Sequence, residues 1–223
     1  SKFKLLDDLF GSLMTRIRNS SEAVGGKLRN YEWRLGTETG KGMERAKPFI
    51  KNLNELNKNN PQLKAKITRE LGEGNFNEVE KLLPNEMKVN FNNTKKLLKE
   101  LGEKSKKAGV QLDLMENYFP RIVKDKNIVA NRFARGIRKG TDTKPRYAKQ
   151  RNVTLESLND EAIAKFYESP EDALALYIRN AVNNIEKYNF FGRNAVRNSK
   201  GYFNDKSIDE SIGKVIQEEK TAG

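Results

Sequence analysis

Apolar positions recur at spacings of three and four along most of this chain, and the pattern predicts one helix after another. Residues 3–18 place Phe3, Leu6, Leu9, Phe10, Leu13, Met14 and Ile17 on one stripe, ended by Asn19-Ser20-Ser21. With Ser21 as a cap, the same spacing resumes through Val24, Leu28, Tyr31, Leu35, Thr39, Met43, Ala46, Ile50, Leu53 and Leu56. This is the longest pattern in the protein and has the character of a bundle or coiled-coil seam. Gly36, Gly40, Gly42 and Pro48 interrupt it, which predicts a kink or a break between 36 and 48.

Shorter stripes follow. Asn59-Asn60-Pro61 is a helix start, Leu63, Ile67 and Leu71 give the stripe, and Gly72-Glu73-Gly74-Asn75 closes it. Phe76, Val79, Leu82 and Leu83 form another short helix, stopped by Pro84. A longer one over about 85–107 carries Met87, Phe91, Leu97, Leu98 and Leu101, with Gly109 as its C-terminal cap. Beyond the middle of the chain, Ile128, Val129, Phe133 and Ile137 predict a short helix. Thr154 caps a stretch with Leu155 and Leu158, leading into Ala162, Ile163 and Phe166. Ser169-Pro170-Glu171-Asp172 is the best helix start of all, with a cap, a proline in the first turn and two acids at the positive end of the dipole. Leu174, Tyr177, Ala181, Ile185, Tyr188 and Phe191 share its apolar face, and Ile208, Ile212, Val215 and Ile216 mark a weaker last helix.

One stretch breaks the rhythm. Val110 to Met115 alternates apolar and polar as an extended arm does, and leads into Tyr118-Phe119-Pro120-Arg121. Pro120 forbids a continuous helix and biases Phe119 toward extended backbone. Two adjacent aromatics on such a backbone point to opposite sides. The four residues therefore read as a staple: Tyr118 and Phe119 bury into two helical bodies, Pro120 fixes the turn, and Arg121 caps a helix or pairs with a carboxylate. The predicted fold is mostly α, an elongated multi-helix bundle. It divides into an N-terminal helical part at 1–109, a connector at 110–124 and a C-terminal basic part at 125–223.

Composition changes this picture in two ways. Only 36% of the 223 residues are apolar while 33% are charged, so the core is thin for the length. The formal charge is +13, which directs attention to an acidic partner, although a lysine-rich surface alone gives the same number. The densest feature is 132–151, where Arg132, Arg135, Arg138, Lys139, Lys144, Arg146, Lys149 and Arg151 face the single acid Asp142. Arg132, Arg135 and Arg138 share a surface if helical. Such clusters bind phosphate backbones through counterion release and guanidinium hydrogen bonds, without reading bases. The competing reading pairs these cations with carboxylates of the same chain or of an acidic protein.

With neither histidine nor cysteine, a Ser-His-Asp triad and a thiolate site are impossible and a zinc site has no ordinary ligand set. No metal or cofactor is expected. Gly40-x-Gly42 and Gly72-x-Gly74 lack the Lys-Ser/Thr of a phosphate loop. Glu116 and Asp125 flank the proline motif as an acid and base pair in the least favoured reading, a carboxylate-based hydrolase. No apolar run approaches the ~20 residues of a membrane span, and the first residues show no signal-peptide pattern. Because Ser1-Lys2-Phe3 opens directly in an amphipathic stripe, the chain reads as a piece of a longer polypeptide.

Tyr118-Phe119-Pro120-Arg121, set between a helical hairpin and a basic helix, resembles helical modules of large bacteriophage proteins. These are the internal virion or ejection proteins and the related large polyvalent proteins. The Gly-centred pair Leu71-Gly72-Glu73-Gly74-Asn75-Phe76 and the stretch from Tyr177-Ile178 to Asn189-Phe190-Phe191-Gly192 carry the rest of the likeness, over roughly 60–195. The resemblance implies a non-enzymatic structural module, without catalytic residues, in the virion interior or the infected-cell cytoplasm. Its partners would be nucleic acid or other virion proteins. The alternative is a freestanding, sequence-nonspecific nucleic-acid-binding protein.

Overall fold

The computed structural model describes residues 22–110, 117–124, 155 and 158–191. Among them are the helices α1 (Glu22–Asn59), α2 (Pro61–Glu73), α3 (Phe76–Leu82), α4 (Asn85–Ala108), α5 (Asp160–Phe166) and α6 (Pro170–Phe191). No strand occurs among the described residues, only an isolated antiparallel bridge between Val123 and Tyr167. The fold is therefore mostly α, with a long N-terminal helix packed on other helices. The stripe at 3–18, the helices expected around 128–137 and 208–216, the arm at 111–116, and Glu116 and Asp125 lie outside the described residues.

Backbone contacts group the chain into two compact units, 1–38 with 183–223, and 39–182. α1 and α6 each contribute to both units.

Local chemistry sets the helix ends. Asn60 Oδ1 accepts the Leu63 N–H at 3.0 Å, and Pro61, which has no N–H, opens α2 at a position where one would have no intrahelical acceptor. Gly74 ends α2 at φ 82, and a Cβ there would also lie 2.9 Å from the Asn117 carbonyl oxygen. Glycine is thus required twice over at this position. Gly109 closes α4 in the same left-handed conformation, and Ser169 Oγ accepts the Asp172 N–H at 3.2 Å in the first turn of α6.

Of the kink or break expected between 36 and 48, the break does not occur: α1 stays helical throughout. A helical glycine costs about 1 kcal/mol and an interior proline about 3. Burial of Leu28, Ala46, Phe49, Leu53 and Leu56 along the same helix outweighs both. Pro48 and Glu44 are exposed, so the carbonyl that Pro48 cannot serve faces water. Gly42 is no weak point either. A Cβ there would come within 2.6 Å of Ile178 Cγ2, so α1 and α6 approach closely because this residue has no side chain. The stripe also shifts by one, since Phe49 is fully buried and Ile50 only half-buried.

At α5 the helix begins at Asp160, capped by Asn159 Oδ1, which accepts the Ala162 N–H at 2.9 Å; Thr154, expected as a cap, lies outside the described residues. Leu155 and Leu158 precede it in a turn, and both are buried with Ile163, Phe166 and Tyr167. Asn is the stronger cap and sits next to two acids at the positive helix end.

In the unit formed by 39–182, Phe91 of α4 is the central ring. It lies 5.3 Å from Phe49 of α1 and 5.3 Å from Phe76 of α3, tilted on one side and edge-on at the other. Arg45 of α1 clasps Glu100 of α4 with two bonds of 2.6 and 2.9 Å. That bond holds the Glu100 carboxyl below its ordinary pKa of 4.5 and raises Arg45. The pair is about half exposed, so it contributes under ~1 kcal/mol. A depressed carboxyl pKa stabilises the fold above the unfolded value and loses that effect as pH falls through the folded value. Glu100→Gln is therefore expected to melt slightly below the parent near pH 7, with the gap closing below pH ~4. A gap that persists in acid would mean the carboxylate charge is not what the arginine holds.

In the other unit, Tyr31 of α1 stacks 4.9 Å from Phe190 of α6, and Arg34 Nε meets the buried Glu186 at 2.9 Å. Burial first, then the nearby Glu186 and Glu32 charges, push the Tyr31 hydroxyl pKa upward.

Candidate functional site

The polar side chains of α2 converge on the two segments that flank 125–154. Arg69 donates from one guanidinium nitrogen to the Leu155 carbonyl at 2.8 Å, and from another to the Leu158 carbonyl at 2.8 Å and Asp160 Oδ1 at 2.6 Å. One turn on, Glu73 Oε1 accepts the Leu155 N–H. The same oxygen lies 3.6 Å from Arg121 Nη1, and the Arg121 guanidinium lies 5.2 Å from the centre of the Tyr167 ring. One carboxylate oxygen thus meets Arg121 before this stretch and Leu155 just after it.

Backbone pairing secures the near end. The Lys124 N–H donates to the Phe166 carbonyl at 2.9 Å and the Glu168 N–H to the Ile122 carbonyl at 2.7 Å. The Lys124 ammonium adds a bond to the Ala164 carbonyl at 2.9 Å. Gly72 makes room for the far end, since a Cβ there would collide with Leu155 Cδ1.

Of the four residues read as a staple, Phe119 is 1% exposed and Pro120 is buried. Tyr118 is half-buried with its ring 5.5 Å from Tyr177 of α6. Arg121 meets the carboxylate described above. Together with Gly72, Leu155 and Tyr167, the last three of them wall a cavity of about 20 Å³, room for one water and no more.

Behind this lies a second ion pair. Lys64 of α2 donates to Glu171 Oε1 of α6, with both residues buried, and Glu171 Oε2 has no hydrogen-bond partner among the described residues. The sequence does carry a signal for it. Lys64, Ile67 and Leu71 stand at i, i+3 and i+7, so a lysine occupies a position where the period asks for an apolar side chain. Glu171 is disguised as an ordinary first-turn acid, and Arg69 with Glu73 imitates a surface i,i+4 pair although each reaches elsewhere.

All eight cations singled out at 132–151 lie outside the described residues. Gly40 and Gly42 are within α1, and Gly72 and Gly74 are at the end of α2, so neither pair forms a strand-to-helix phosphate loop. Among the described residues no acid cluster is placed to hold a metal ion, and no helix is long and apolar enough to cross a membrane. What this arrangement does chemically is hold: it fixes the ends of a cation-rich stretch on a helical frame.

No known protein family, characterised protein or solved structure matches this chain.

Proposed function

We propose that this chain is a non-enzymatic helical module that contacts nucleic acid through phosphates, with 132–151 as the contact segment. The observation that carries the reading is the charge of that segment, eight arginines and lysines against one acid, within a chain of net charge +13. The frame supports it. Lys124 and Leu155, on either side of the segment, are fastened through Phe166, Glu73 and Arg69. Fastened ends reduce the chain entropy that a bound segment must lose. The carboxylates of the frame are already engaged: Glu73 by Arg121 and Leu155, Asp160 by Arg69, Glu171 by Lys64. They are thereby taken from the pool that could neutralise the segment.

The setting we infer is a bacteriophage protein that accompanies the genome, on the resemblance carried by Tyr118-Phe119-Pro120-Arg121 and the Gly72–Gly74 helix pair. Other virion proteins with acidic surfaces are the second class of partner.

The test is the salt dependence of duplex binding. Replacing Arg135, Arg138 and Lys139 by Gln is expected to reduce the log–log slope by about two to three, since each neutralised phosphate contributes roughly 0.9. The helical circular-dichroism signal should be unchanged. A matched triple at the exposed, scattered Lys47, Lys58 and Lys66 should reduce it by less than about one. Equal losses from the two triples would reduce the segment to a share of the net charge.

A further inference from the structure

The described surface offers a second feature of the same chemistry. Lys88, Lys95, Lys99 and Lys106 of α4 are spaced by seven, four and seven residues. At 3.6 residues per turn this keeps them within about 40° of one line, a row about 27 Å long. The row runs along the edge of the buried face of α4 that carries Met87, Phe91 and Leu98; Lys99 and Lys106 are exposed, and Lys88 and Lys95 are half-buried. Lys95 is engaged by Glu80 of α3. Lys88, Lys99 and Lys106 make no ion pair among the described residues. Of the acids on α4, Glu100 is turned to Arg45, and Glu103 alone borders the row.

Helix stability does not explain this arrangement. Lys88 stands in the first turn, where the helix dipole disfavours a cation. Lys95 and Lys99 are like charges at i,i+4, which weakens a helix. Lys106 alone gains from the negative C-terminal end. Lys88 and Lys99 thus gain little from their own helix and are open to an external anion.

We propose that this row is a second phosphate-contact surface for duplex nucleic acid. The inference rests on the functional reading above and extends it to a described helix. A duplex presents one negative charge per ~1.7 Å of its axis, so a straight row of point charges finds phosphates along its whole length. Lysines carry no fork for base edges, so the contact is indifferent to sequence. A lipid surface fits less well, because the apolar side of α4 is already buried and cannot insert.

The experiment measures equilibrium binding of the full chain to a duplex of about 20 base pairs across a salt series. Lys88, Lys99 and Lys106 are replaced together by Gln, a good helix former that keeps α4 intact. The expected result is a slope lower by about two to three, against less than about one for the Lys47, Lys58 and Lys66 control. A normal slope in this triple, beside a reduced slope in Arg135/Arg138/Lys139→Gln, overturns this inference and leaves the segment reading standing. The reverse outcome supports the row and removes the segment. An α4 triple that keeps its duplex slope but loses binding to phosphatidylserine vesicles overturns the proposal in favour of a membrane surface. Absence of duplex binding by the parent at ~50 mM salt overturns both.

Discussion

Phe119→Ala is expected to lower the melting temperature by about 10 °C. Deleting a buried phenylalanine costs about 3–5 kcal/mol, from lost transfer energy and from the cavity left behind. In a chain of this size each kcal/mol is worth about 2–4 °C. Phe119 belongs at the upper part of that range because its surroundings cannot collapse easily. Pro120 fixes the backbone beside it, Arg121 is tied to Glu73, and the bridge at Val123 holds the segment against Tyr167. Tyr118→Ala should do much less, since that ring is only half-buried. Differential scanning calorimetry of the two variants decides the matter. Equal, small shifts would mean that the Phe119 ring carries no part of the packing.

The second large effect is at Lys64. Lys64→Met is expected to destabilise the protein by about 3–5 kcal/mol, because it strands a buried carboxylate on Glu171. The loss comes from the partner left behind rather than from the bond itself. Replacing both residues, as Lys64→Met with Glu171→Leu, is therefore expected to recover most of the stability, since a buried ion pair and a packed apolar pair are often nearly equivalent. Urea unfolding of the single and double variants tests this. A double variant as unstable as the single one would show that the site depends on charge and not on relief of an unpaired one.

Much of the fold was legible from periodicity and end chemistry. α2, α3, α4 and α6 begin and end close to where Asn60-Pro61, Gly74, Pro84, Gly109 and Ser169-Pro170 signal, because these residues act through local backbone geometry. That α1 runs unbroken through 36–48 was not legible, because its glycines and proline signal through propensity alone. The close approach at Ile178 that explains Gly42 is a contact between residues far apart in sequence. Pro120 signals non-helical backbone at Phe119, whereas the burial of that ring is a property of the fold. The clamp did not follow, since Arg69, Glu73 and Arg121 are ordinary charged residues until the fold brings Leu155 to them. Lys64 could have been found, as a lysine inside an apolar stripe, but its partner could not.

Binding of the full chain to two duplexes of unrelated sequence, at ~50 mM salt and then at rising salt, tests the central claim most directly. The account predicts micromolar or weaker affinity, equal for the two sequences, falling linearly and steeply in log–log form as counterions are released. No detectable binding at ~50 mM salt, or an affinity that differs between the duplexes and ignores salt, would contradict it. In the first case an acidic protein surface would become the better explanation of the +13 charge.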